Sequence, residues 1–182
     1  AKTINFDKIP IIDVTNLRNN KDKVTVAKSL HDASKNLGFI YIKNHGINEN
    51  VIKSVRKDGL SFFRQNKEDK IEVKISRKHR GWLGYGGAKM HDNAKPDLKE
   101  SFIWGYQDDR GFSIEDHPLR GKNLWPTSVP TLENSAMNFF EHAHNLARDL
   151  LKGFAIGLNL EEDFFFKSSS KPLSRASLVY YP

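Results

Sequence analysis

The sequence predicts an α+β fold, and three stretches carry the prediction. Phe39-Ile40-Tyr41-Ile42 is a short run of β-branched and aromatic residues, bounded by Gly38 and by Asn44-His45-Gly46, with amphipathic helical patterns on both sides. Leu98 to Tyr106 alternates charged or small residues with large apolar ones, which is the period of a half-buried strand. From near Pro130 to Leu158, apolar positions such as Leu132, Ala136, Phe140, Leu146, Leu150 and Phe154 keep to one face through more than seven helical turns.

The elements follow in order. Ile9-Pro10-Ile11-Ile12-Asp13 reads as a short edge strand, because proline donates nothing to a sheet ladder and is tolerated at strand starts. Asp13 and Thr15 then offer turn or cap oxygens. From Asp22 to Leu37, Val26, Ala27, Leu30, Ala33 and Leu37 fall at helical spacing, and Gly38 supplies the stop. The run at 39–42 reads as a strand buried on both faces. In the turn after it, His45 is expected to bond nearby backbone rather than hold a metal or move a proton. Asn48 caps a second helix whose Ile52, Val55, Phe62 and Phe63 share a face, while Gly59 weakens its middle. Residues 66–80 are densely charged and read as irregular or as one short helix.

Arg80-Gly81-Trp82-Leu83-Gly84-Tyr85-Gly86-Gly87 interleaves glycines with aromatics. It lacks the spacing of either nucleotide-binding glycine motif. Two readings stay open: a loop that lays Trp82 and Tyr85 over a cavity with Arg80 meeting an anion, or aromatics packed beneath a glycine-rich loop. On the strand at 98–106, Lys99 and Glu100 read as a structural polar pair, and Phe102 could face the same cavity. Residues 107–130 read as a long ordered loop whose Trp125 plugs into the body. His142 and His144, two apart on the long helix, point to different sides and cannot clamp one metal together. Glu161 to Phe166 reads as a short helix or turn, 168–170 as a loop, and Ala176 to Pro182 as a final strand.

Bulk properties narrow the function. The 182 residues, 38% hydrophobic, suffice for one domain with a core, and no repeat or linker marks a boundary. The absence of cysteine removes disulfides, thiol nucleophiles and Cys-type zinc sites, and fits a reducing cytoplasm. No apolar run approaches a membrane span, and Ala1 to Asn5 is too polar for a signal peptide. A formal charge of +7 admits anionic partners, but the lysines are scattered among acids as on a solvated surface.

Seven segments then share one order. Ile-Pro-Ile-Ile-Asp at 9–13, Gly-Phe-Ile-Tyr-Ile-Lys-Asn-His-Gly-Ile at 38–47, Phe62-Phe63, Arg80-Gly81-Trp82, Asp97-Leu98-Lys99-Glu100-Ser101-Phe102, Asn123-Leu124-Trp125-Pro126 and Tyr180-Tyr181-Pro182 follow one another as in the isopenicillin N synthase-like family, which this chain resembles along nearly its whole length. The family comprises iron(II)- and 2-oxoglutarate-dependent oxygenases. The resemblance implies a double-stranded β-helix (jelly-roll) core, preceded by an α/β lead-in over 1–125, with the support helix and first core strand in 126–182. It implies Fe(II) and 2-oxoglutarate as cofactors, molecular oxygen and a small organic molecule as partners, and hydroxylation, desaturation or ring closure as the reaction.

The family's His-x-Asp pair follows shortly after the Tyr-Tyr-Pro strand, so no catalytic residue and no metal ligand is expected within 1–182. The available substitutes fail: His91-Asp92-Asn93 has Asn where the carboxylate belongs, and His79 and His117 have no partner at ligand spacing. By resemblance, Tyr181 matches a tyrosine that hydrogen-bonds 2-oxoglutarate, with core packing as the other reading; the Asn often found two residues earlier is Val179 here. Arg80, Trp82 and Tyr85 match the region that reaches over the active-site mouth, and Phe102 joins them as a candidate substrate contact. Two other classes remain: a non-catalytic interaction module keeping half the fold, and a nucleic-acid binder, which would need a cation-lined groove with exposed stacking aromatics.

Overall fold

The computed structural model describes residues 9–89, 91, 93–107, 117–167 and 172–182. They divide into two compact units, one from residues 1–47 and 142–171, the other from 48–141 and 172–182. The chain passes between the units three times, so neither is a contiguous segment.

In the first unit, β1 (Ile11–Asp13) and β2 (Tyr41–Lys43) form a parallel pair with Ile12 opposite Ile42. A parallel pair needs a crossover, and α1 (Thr15–Arg18) and α2 (Lys23–Asn36) provide it. The Asp22 side chain caps α2 by accepting from the Thr25 hydroxyl at 3.0 Å. Leu17, Val26, Leu30 and Ala33 pack with Ile12 and Val14, and Leu146, Leu150 and Phe154 close over them. The expected burial of the 39–42 run on both faces is corrected: Ile40 and Ile42 reach this core, whereas Phe39 is 73% and Tyr41 59% exposed. An unbroken apolar run says that a strand can be covered on both faces; among the described residues, helices cover only one.

In the second unit, α3 (Glu49–Phe63) is capped by the Asn48 side chain and followed by α4 (Lys67–Ile71). β3 (Gly81–Leu83), β4 (Glu100–Gly105) and β5 (Arg175–Tyr180) form an antiparallel sheet with β4 central. The glycine-rich stretch, expected as loop throughout, begins with a strand. Gly81, at φ 109°, lets the chain come close to the Val73 carbonyl, which a Cβ would meet at 2.3 Å. Trp82 N–H then donates to Val73 O and Ile75 N–H to Trp82 O, both at 2.7 Å. β4, predicted half-buried, is buried at five of its six positions, because neighbours on both edges leave it little contact with water.

The long helix appears as predicted, α5 at Thr131–Gly157. Its Leu132, Ala136 and Phe140 belong to the second unit's core with Val55, Phe62, Phe63, Phe102 and Trp104. Burial of each such large side chain contributes about 1.5–3 kcal/mol. Trp125 packs against that core as expected. A 3₁₀ turn follows at Phe164–Phe166. The 168–170 loop and residues 108–116 of the long loop lie outside the described residues. Among the described residues, no helix is long and apolar enough to cross a membrane.

Candidate functional site

Successive side chains on a strand point to opposite faces, so the register of β3, β4 and β5 sorts their residues into two sets. Trp82 lies opposite Phe102, Phe102 opposite Leu178, and Glu100 opposite Tyr180. These positions, with Trp104, form a packed face. Phe62 meets Phe102 edge-on at 5.0 Å, and Phe63 stacks on Tyr180 at 5.2 Å. The second set is Leu83, Ser101, Ile103, Gly105, Arg175, Ser177 and Val179, which Tyr181 continues. This face is open along β5, where Val179 is 48% and Tyr181 71% exposed, whereas Ser101 and Gly105 of β4 are buried.

The five sequence-derived site residues therefore do not converge. Trp82 and Phe102 lie on the packed face, 6% and 0% exposed, so neither offers surface to a ligand, and the cavity-lining expectation gives way to packing. Tyr85 sits on the turn after β3, 55% exposed. Arg80 and Tyr181 lie on the second face at opposite ends of it, Arg80 buried and Tyr181 exposed. The Arg80 guanidinium lies against Gly105, where a Cβ would stand 2.4 Å from Nη2. Its Nη1 donates to the carbonyls of Lys78 and His79 at 3.3 and 3.2 Å, whereas Nε is buried without a partner among the described residues. Burial, and then the charge of Arg175, hold the Arg80 pKa below the usual guanidinium value.

Sequence reasoning missed the second unit's polar centre. Lys70 Nζ donates to both carboxylate oxygens of Glu100 at 3.0 and 2.8 Å, and to the Phe63 carbonyl at 3.0 Å. Trp82 Nε1 donates to Glu100 Oε2 at 2.7 Å, and the ammonium stands 5.2 Å from the indole centroid. The expected Lys99–Glu100 pair is thus split: Glu100 turns inward to Lys70, and Lys99 pairs with Asp97 at 2.8 Å. Adjacent strand residues face opposite ways and cannot pair with each other. The available signal is weak, since Lys70 lies inside a charged stretch that otherwise reads as solvated. A second polar device is Asn123, whose side-chain amide holds both the N–H and the carbonyl of Gly105 at 2.9 Å, as a neighbouring strand would.

The histidines have structural placements. His45 Nδ1 accepts from Ile47 N–H at 3.1 Å, the expected turn bond, and the turn is fastened by Asp13 accepting from Asn44 at 2.7 Å. His117 Nδ1 accepts from Leu119 N–H at 3.1 Å, and His79 stands at φ 55° in a turn. Asp92 lies outside the described residues. Among the described residues, no group of three His, Asp or Glu could hold a metal ion. Lys53, Arg56, Lys57 and Arg64 line an open groove along α3 with Leu60 and Ser61, and among the described residues no aromatic ring lines it for a base to stack on.

Comparison with known proteins agrees with the family order of the motifs. The family model described as non-haem dioxygenase in morphine synthesis N-terminal matches residues 9–128. The chain is 28% identical over 189 residues to a 1-aminocyclopropane-1-carboxylate oxidase of Dictyostelium mucoroides, covering 98% of this chain and 50% of that protein. It is 28% identical over 191 residues to a homoarginine-6-hydroxylase of Oryza sativa subsp. japonica, covering 97% and 57%. Among solved structures, a full-length Neurospora crassa protein in complex with alpha-KG and thymine superposes with a TM-score of 0.77 at 25% identity, covering 98% of this chain and 57% of that one. A Caulobacter crescentus protein classed with the 2OG-Fe(II) oxygenases shares the fold, with a TM-score of 0.83 at 22% identity over 96% and 56% of the two chains. The chain thus spans about half the length of the relatives it matches.

Proposed function

The chain belongs to the family of non-haem dioxygenase N-terminal regions, and from that premise we propose that it is part of an iron(II)- and 2-oxoglutarate-dependent oxygenase acting on a small organic molecule. The observation that carries the reading is the family match over residues 9–128, joined to relatives that align with nearly the whole chain. The reaction is hydroxylation, desaturation or ring closure, with molecular oxygen as co-substrate. In this reading sheet β3–β4–β5 begins a jelly roll, the chain is one folding domain, and the protein works in the cytoplasm.

The described residues do not fit iron. No metal-holding group occurs among the described residues, and the ligands are assigned to sequence following residue 182, so no step is derived through the metal. For 2-oxoglutarate the fit is partial. Tyr181 presents an exposed phenol on the open face, a donor suited to a carboxylate. When bound, 2-oxoglutarate would supply two electrons for oxygen activation through its oxidative decarboxylation. Arg80 and Tyr85 are carried forward as substrate contacts, while Trp82 and Phe102 act from behind, by holding the sheet that presents them.

The test uses the full-length protein. The encoded sequence beyond residue 182 should contain His-x-Asp. Iron(II) with 2-oxoglutarate, added anaerobically, should give a weak visible charge-transfer band, and admission of oxygen should yield succinate. A protein lacking band and succinate together would overturn the oxygenase reading and leave the non-catalytic module.

A further inference from the structure

Helix α3 separates charges that its sequence mixes. Between residues 53 and 64 the chain holds Lys53, Arg56, Lys57 and Arg64 and a single acid, Asp58. Asp58 turns inward, 9% exposed, on the buried side of the helix with Val55, Phe62 and Phe63. All four cations stay outside. Lys53 pairs with Glu49 at 2.6 Å. Arg56, Lys57 and Arg64 form no ion pair among the described residues. The scatter of lysines among acids, true of the sequence as a whole, therefore fails at this helix.

Lys53, Lys57, Leu60 and Arg64 follow one another at spacings of three or four, so they make one stripe, with Arg56 flanking it. From Lys53 to Arg64 the stripe is about 16 Å long. Lys53 stands one turn from both Arg56 and Lys57, and like charges at that spacing work against a helix, so α3 gains nothing from them by itself. With Ser61 and Leu60, which is 37% exposed, these cations line an open groove of about 430 Å³.

The layout selects among anionic partners. The charges are strung along the helix and do not converge, so a single small anion would meet only a part of them. A nucleic acid lacks a ring to stack on among the described lining residues. A bilayer lacks an apolar face to admit, because the apolar side of α3 is spent in the core. An acidic polypeptide can match both features, carboxylates to the cations and an aliphatic side chain to Leu60.

We propose that this groove docks an acidic segment of a partner protein, a helical stretch whose Asp or Glu residues recur about one turn apart around an aliphatic residue seated on Leu60. The docking surface lies on α3 and does not depend on the oxygenase reading.

The experiment is a fluorescence-anisotropy titration of a fluorescein-labelled helical peptide, with Glu on successive turns around a central Leu, by the full-length protein. The comparison probes are the same peptide with Gln for Glu, sodium polyphosphate, and vesicles of phosphatidylserine and phosphatidylcholine. The expected result is saturable binding of the Glu peptide and none of the Gln peptide. Arg56→Gln, Lys57→Gln and Arg64→Gln should each weaken it by about two- to fivefold. Leu60→Ala should weaken the peptide and leave polyphosphate unchanged. These side chains are exposed, so an unchanged urea midpoint confirms that each variant is folded. Failure of the Glu peptide to bind, equal binding of the Gln peptide, or indifference to the cation substitutions would overturn the proposal. Polyphosphate binding as tight as the peptide's with no effect of Leu60→Ala would reduce the groove to unselective charge, and vesicle binding without peptide binding would assign it to a membrane surface; either result also overturns it.

Discussion

The two faces of sheet β3–β4–β5 are built from alternate residues of the same strands and have opposite characters. On one, Trp82, Phe102, Leu178 and Tyr180 are enclosed by rings and helices, and the charged pair Lys70–Glu100 is satisfied on every side. On the other, Val179 and Tyr181 stand exposed, and the Arg80 guanidinium keeps one edge unbonded among the described residues. The difference teaches where to look for function. A face whose charged groups are all paired holds the sheet together; a face that keeps a charged donor unpaired among the described residues, beside exposed side chains, is the one to search for function.

The comparison is broken most severely by emptying the packed face. Phe102→Ala should cost about 3–5 kcal/mol, read as a lowered urea midpoint with little change in slope. Glu100→Ala should cost about as much, because it leaves Lys70 charged and buried beneath Trp82. Gly59→Ala is milder. The new methyl would stand 2.6 Å from Leu178 Cδ1, and displacing that flexible tip should cost about 1–3 kcal/mol in the same assay.

Changes at the exposed positions of the other face should leave stability almost untouched. Tyr181→Phe should fall within about 0.5 kcal/mol of the parent, since it removes only an exposed hydroxyl. The smallest effect lies in the first unit, as a pH dependence. Burial, and then the charge of Arg148, lower the His144 pKa, so the folded state binds that proton less readily than the unfolded chain. Its contribution is therefore full above about pH 6.5 and lost as pH falls through the histidine range. His144→Gln should flatten that part of the melting-temperature profile.

Much of the scaffold is legible in the sequence, because periodicity reports which side of an element is apolar. The long helix, the capped helix after Asn48 and the turn bond of His45 all appear as read. What periodicity cannot report is how many layers exist to cover a face, so the run at 39–42 is less buried than its pattern implies and the strand at 98–106 more so. The site is less legible for a related reason. Trp82 and Arg80 are two residues apart, yet the positive φ of Gly81 and the register of β3 place the indole among the core rings and the guanidinium against Gly105. Lys70 is hidden among charged neighbours because nothing in its own stretch names Glu100 as its partner. The order of motifs along the chain, by contrast, needs none of this geometry, and it is what identifies the family.

The most direct test of the two-face account is a paired titration of the full-length protein with 2-oxoglutarate, followed anaerobically by the iron(II) charge-transfer band. Tyr181→Phe should weaken binding severalfold at unchanged stability, while Phe102→Leu should lower stability and leave binding at the parental value. Parental binding in Tyr181→Phe, or a loss of affinity confined to Phe102→Leu, would contradict the account.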